Sequence, residues 1–464
     1  LLSEIAKIVM TLTTKSNNII KFITQNLCDD VKPLGSNVVS LFSNIHKELV
    51  AAAKFVEAAK KVHGDKFYAT TVSNVSGTTP ISFPPKSFMD WVPQNIVRHI
   101  RNTSQTEIVY SFAIFGRSIR VIFVLETHPN DIRATLISAF NRYIDMMIMW
   151  MCVINTFSNP VCGKTMTVYL YMTSLKKTLR GNGIKNGRRG HIANITRSRR
   201  NSRNSGNSGN NRPQILGRDH INTAMTTTCP ENSIIVIYRQ EEWFKVFIHE
   251  TFHTFDLDFS GMDCRRCVDK ILKIFPVKSE VRLYEAYTEC WAEIMNVGFC
   301  SFFSNYSESS KSTVVDVDTF LPRALMLMNC EIQFGLFQMS KTLDYMGLGY
   351  TDLYSTKQSS VEKRREKYIE GTSVLSYYII KCVLMCNLNS FIAWCASNND
   401  NMVQFNKSEH TILRFCEFIE INHKSQSTLR QIGRMAAFFD KWKSSVGRNS
   451  LMRTSMKMSA CELK

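Results

Sequence analysis

The residues best suited to chemistry stand together at His249-Glu250-Thr251-Phe252-His253, the pattern H-E-x-x-H. Residues four apart lie on one face of a helix, so both imidazoles can reach one metal ion. Glu250 lies beside them, within reach of a water held at that ion, and is the candidate general base. A catalytic zinc takes three protein ligands and keeps one position open. A second segment, Glu285-Ala286-Tyr287-Thr288-Glu289, offers the third ligand in Glu285. Glu289, one turn on, is placed to stand behind a ligand histidine and orient it through its other ring nitrogen. The chemistry implied is hydrolysis. Zinc lowers the pKa of a water and polarises a carbonyl, while Glu250 moves the proton to the leaving amine.

Such a site needs rigid elements behind it. No Gly or Pro interrupts residues 239 to 260, and Trp243, Phe244, Phe247, Ile248 and Phe252 make an apolar band. A helix is therefore expected from Glu241 to about Phe259. Ser233 to Tyr238 reads as the strand before it, either a plain core strand or an edge that pairs with an extended peptide. Helices are expected at 280–303, within 316–346, at 360–397 and at 425–446. Upstream, residues 3–28 and 38–63 read as helices, 107–115 and 118–125 as a hairpin split by Gly116-Arg117, 130–151 as a helix and 166–172 as a strand. Pro80, Pro84, Pro85 and Gly77 mark a linker. No repeat with a period of 20 to 50 residues is present.

The H-E-x-x-H helix followed by Glu285 and Glu289 resembles the gluzincin metallopeptidases, the thermolysin-like group. There a later helix carries a Glu ligand with an acid four residues on. Glu289 stands where the family usually has Asp, and the 31 residues between His253 and Glu285 exceed the usual thermolysin-like gap. The third histidine of the metzincin pattern is absent, since no His follows His253 until His410. The strong part of the resemblance covers residues 238–293. The block 239–260 also looks like predicted metallopeptidases of large double-stranded DNA viruses. The resemblance implies a zincin-like, two-lobed α+β catalytic domain, one zinc ion and a peptide or protein substrate. It also implies an oxyanion donor from the later part of the chain, for which Tyr345, Tyr350, Tyr354 and His410 are candidates. The implied layout has a helical N-terminal region at 1–85, an α/β lobe with the active-site helix at 86–261, and a mainly helical lobe carrying the third ligand at 262–464.

Composition bounds the alternatives. The chain has 464 residues, 44% of them hydrophobic and 21% charged, enough for two or three packed domains and too apolar for global disorder. The formal charge is +18, but twelve Lys and Arg lie between Lys176 and Arg218 without one acid, leaving +6 for the other 421 residues. That Gly-, Asn- and Ser-rich stretch reads as a disordered surface insertion. It raises a rival reading: a nucleic-acid-associated or virion structural protein, or a zinc-stabilised scaffold without turnover, using the basic loop on nucleic acid or an acidic surface. The 14 Cys show no framework spacing and several sit in apolar helical patterns, which suits free thiols in a reducing, intracellular setting such as a host cytoplasm or a virion. Leu1 to Lys15 carries Glu4 and Lys7 and lacks the form of a secretory signal, while a first residue other than Met is compatible with a missing upstream piece. No apolar run approaches the length of a transmembrane helix.

Four smaller signals point to structure more than chemistry. Cys264-Arg265-Arg266-Cys267 offers half of a zinc site, with Cys382 and Cys386 as the remote other half. Gly163-Lys164-Thr165 has the tail of a phosphate-binding loop, but a strand is expected after it where a helix is required. Asp256 and Asp258 read as a solvated helix end, with capping or support of a ligand histidine as the alternative. Trp291 reads as core packing and Glu293 as a surface or interhelical charge.

Overall fold

The computed structural model describes residues 12–27, 33–64, 67–76, 79–179, 215–303, 316–447 and 450–464. The expected insertion lies outside the described residues from 180 to 214, whereas its two ends are firmly held. Lys177 is buried, its backbone N–H donates to Glu241 at 2.9 Å and its ammonium pairs with Glu242. Leu216 pairs with Glu370 and accepts a hydrogen bond from Gly371 N at 2.9 Å.

The fold is α+β. Two helices, α1 (Thr14–Asn26) and α2 (Ser36–His63), come first, and then β1 (Ala69–Asn74) and α3 (Gln94–Thr103). The β-branched run and its Gly116 turn form β2 (Thr106–Ile114) and β3 (Arg117–Leu125), and α4 (Ala134–Ile154) crosses to β4 (Thr165–Tyr171). β5 (Ala224–Met225) and β6 (Asn232–Ile237) complete one sheet in the order β1-β2-β3-β4-β6-β5. β3, β4 and β6 are parallel, and both flanks are antiparallel. β6 thus lies inside the sheet. The two-residue β5 takes the edge that the sequence left open for Ser233–Tyr238.

Helices dominate the rest: α5 (Trp243–Thr254), α6 (Arg265–Ile274), α7 (Leu283–Phe302), α8 (Val317–Met346), α9 (Gln358–Lys367), α10 (Leu375–Cys386), α11 (Leu388–Asn398), α12 (Glu409–Asn422) and α13 (Gln426–Ser445). The long helix expected over 360–397 is three: a loop around Gly371 separates α9 from α10, and α10 and α11 bend by 93° at Asn387. One apolar core runs from Leu12 to Leu463 and includes the buried faces of α2, α4, α5, α7 and α8. A smaller one, with Val92, Ile96 and Ile100, covers the other face of the sheet against Ile122, Val236 and Tyr238. Among the described residues, one single helix, α4, has the length and composition to cross a membrane, as does the bent pair α10–α11 if taken together, and Phe140, Ile144 and Trp150 of α4 are buried in the main core.

Two features brace the centre. Residues 455–462 thread through the interior, where Glu242 accepts from Met458 N at 3.0 Å and Glu331 from Ala460 N at 2.8 Å and Cys461 N at 2.9 Å. Cys162 and Cys229 form a disulfide, contrary to the expectation of free thiols throughout; the other eleven described cysteines are free. Backbone bonds from Gly163 N to Pro230 O at 2.8 Å and from Cys229 N to His253 O at 3.1 Å bring those two loops together.

Candidate metal centre

α5 carries the motif and is buried along its whole length. Its apolar band packs into the main core, and Thr251 accepts a 2.7 Å hydrogen bond from Trp150 of α4, which fixes the helix's rotation. That rotation turns His249, Glu250 and His253 toward α7 and a cleft of about 320 Å³. The cleft is lined by β5, by the loop before it, by residues 371–373 and by Tyr377.

Glu285 meets the two histidines there. Its Oε2 lies 3.0 Å from His249 Nε2 and 3.5 Å from His253 Nε2, and the two Nε2 atoms are 3.3 Å apart. Three ligands about 2.1 Å from one tetrahedral ion stand about 3.4 Å from each other, so the observed triangle has the size of one face of such a site. His249, His253 and Glu285 are one of two groups among the described residues whose donor atoms could hold a metal. The other contains the bonded Cys162 and Cys229 with Asp256.

Each imidazole is backed through Nδ1. His249 Nδ1 lies 2.9 Å from Glu289 Oε2, and Glu289 Oε1 accepts from Lys245 Nζ at 2.5 Å, all of it buried. His253 Nδ1 donates to Asp258 Oδ2. Asp258 is wholly buried and also accepts from Ser260 N at 2.8 Å, Ser260 Oγ at 2.6 Å and Thr288 Oγ1 at 3.0 Å. With Nδ1 committed to a carboxylate, Nε2 is the atom each ring offers to a cation.

The Asp258 contact corrects the expectation of a solvated helix end. α5 stops at Thr254 rather than Phe259 because Asp256 adopts a left-handed φ of 63°. Asp256 N then bonds to His253 O at 3.3 Å and Leu257 N to Phe252 O at 2.9 Å, a Schellman turn that folds Asp258 back beneath the helix. Asp256 itself points away and pairs with Lys407 at 2.6 Å.

Burial and charge set the protonation. Burial opposes a charged His249, but hydrogen bonds to Glu285 and Glu289 outweigh it and lift its pKa to about 9. His253 is raised too, against burial, by Asp258 and Glu285. The carboxyls of Glu285, Glu289 and Asp258 are depressed against burial, chiefly by the histidines and, for Glu289, by Lys245. Glu250 goes the other way: burial raises it. It makes no hydrogen bond or ion pair among the described residues and faces the cleft.

None of the four candidate oxyanion donors lines the cleft. Tyr350 donates to His423 O at 2.9 Å, Tyr354 meets the His423 ring edge to face, Tyr345 is half-buried against the core and His410 is exposed. Tyr238 and Tyr377 line the cleft, and Tyr377, on a π-helical turn at the start of α10, touches a candidate ligand: its hydroxyl donates to Glu285 Oε2 at 2.9 Å. Such turns are frequent at functional sites. The remaining signals are structural. Cys267 Sγ sits 2.9 Å from Cys416 Sγ, not near Cys382 or Cys386. Lys164 pairs with Glu231 at 3.0 Å just ahead of β4. Trp291 is core, and Glu293 pairs with buried Lys381 at 2.6 Å.

No family model, no curated protein and no solved structure matches this chain.

Proposed function

We propose that this chain is a zinc-dependent metallopeptidase of zincin-like, two-lobed build. The observation that carries the reading is the convergence of His249 Nε2, His253 Nε2 and Glu285 Oε2 into one triangle of tetrahedral-face size, beside an unpaired Glu250 and facing an open cleft. Two nitrogen donors and one carboxylate suit zinc, and three protein ligands leave a position for water. Zinc, when bound, supplies Lewis acidity to a water and to the scissile carbonyl.

The chain's own residues do the rest. Glu250, its proton affinity raised by burial, receives the proton of the attacking water and returns it to the leaving amine. The Tyr377 hydroxyl, which donates its one proton to Glu285 Oε2 in the free site, turns from that carboxylate to the carbonyl oxygen as the latter gains negative charge. Glu289 and Asp258 hold the two imidazoles in their ligating tautomer. The free side of β5 borders the cleft and offers backbone groups to an extended peptide.

Glu250→Gln tests the assignment. The variant is expected to bind zinc at the wild-type stoichiometry and to lose hydrolysis of a peptide library. Undiminished turnover would remove Glu250 from the mechanism.

A further inference from the structure

Two charged side chains of the cleft lining are unpaired among the described residues, Glu250 and Arg218. His249, His253 and Glu285 are engaged with one another, and Arg282 pairs with Glu280 at 2.9 Å. Arg218 also lines the cleft, is exposed, and has no ion-pair or hydrogen-bond partner for its guanidinium among the described residues. It sits over Trp91, its central carbon 3.9 Å from the ring centroid. Trp91 lines the same cleft and is 46% exposed, although its neighbours Val92 and Ile96 are core. Stacking engages one face of the guanidinium and leaves its in-plane N–H groups free, the geometry that grips a carboxylate in two-pronged fashion.

The backbone around Arg218 is braced as a binding residue's would be. Leu216 O accepts from Gly371 N at 2.9 Å, Gly217 N donates to His220 Nδ1 at 3.2 Å, and Asp219 O accepts from buried Arg239 at 2.7 Å. Arg218 lines the same cleft as Glu250, His249 and His253. Fixed on an indole and projecting an unmatched charge, it lowers the cost of binding an anion because little side-chain freedom remains to be lost.

We propose that Arg218, held against Trp91, is a specificity-determining residue that selects peptides with an acidic side chain near the scissile bond. This rests on the peptidase reading above. The test uses the zinc-loaded full chain and a peptide library read by mass spectrometry, followed by peptide pairs that differ only as Glu or Gln at the selected position.

Asp and Glu are expected to be enriched at one position. The Glu peptide should be preferred by about tenfold in kcat/KM, most of it in KM. In Arg218→Ala the Glu-to-Gln ratio falls toward one. In Arg218→Glu the preference shifts to Lys at that position, and in Trp91→Leu the ratio drops part of the way. Because each value is a ratio within one variant, a general loss of activity does not mimic the effect. Cleavage without an acidic preference, or an unchanged ratio in Arg218→Ala, overturns the specificity while leaving the peptidase reading intact. A library left uncut by the zinc-loaded protein overturns the peptidase reading itself, and the specificity with it.

Discussion

The two histidines of the site are supported in different ways. Behind His249 stands a charge relay between helices, in which Glu289 of α7 lies between the imidazole and Lys245 of α5 with no water-exposed member. Behind His253 stands a turn, in which Asp258 is held by Ser260 and Thr288 and, among the described residues, no cation other than the imidazole touches it. The first arrangement depends on charge compensation in a medium where an unpaired ion is costly. The second depends on neutral donors and on one left-handed residue. The two supports should therefore fail differently.

The largest difference is expected from Lys245→Met. It removes the ammonium that pairs with buried Glu289, leaving the His249 imidazole as its one contacting partner among the described residues, and should cost about 3–5 kcal/mol of folding stability by chemical denaturation. Adding Glu289→Gln should restore most of that loss, whereas no restoration would mean that the relay is not a compensated pair.

Next in size is a pH effect on the His249 side. After removal of metal with a chelator, the raised pKa of His249 makes its contribution fully present below the unfolded value near 6.5, and it is lost as pH climbs through about 9. Stability of the metal-free chain should decline across that window by about 3 kcal/mol. The zinc-bound chain should instead weaken toward acid, as protons compete for the imidazoles. Parallel pH profiles for the two forms would contradict this.

The smallest change is expected from Asp258→Asn. With neutral neighbours, it should cost about 1–3 kcal/mol in stability. Zinc affinity, measured by competition with a chromogenic chelator, should fall about 10- to 100-fold. A stability loss as large as that of Lys245→Met would erase the distinction between the two supports.

The same contrast explains what the sequence made legible. His249, Glu250 and His253 share a helix turn, as do Glu285 and Glu289, so regular periodicity alone fixes their relative placement. The strand before the motif and the order of elements follow from equally local patterns. For Asp258 the sequence left a solvated helix end and support of a ligand histidine both open, because its position depends on the φ of Asp256, and five residues of spacing carry no such information. Tyr377 was hidden because it lies 92 residues beyond Glu285 and reaches it through tertiary packing and a π-helical turn. Tyr345, Tyr350 and Tyr354 were equally plausible by type and order. β5 is two residues long, too short for any alternation to show, yet it sets the edge of the cleft. Arg218 sat at the end of a basic run and looked like part of it, until Trp91, far back in the chain, proved to be its stacking partner.

The central claim is that three side chains from two helices hold one zinc ion. X-ray absorption at the zinc edge, with metal counted per chain, tests it most directly. The account predicts one zinc per chain with two imidazole nitrogens and one carboxylate oxygen at about 2.0–2.2 Å plus a light, exchangeable ligand, and it predicts loss of that zinc in His249→Ala and in Glu285→Ala. Absence of stoichiometric zinc, a sulfur-rich shell, or full zinc retention in both variants would contradict it.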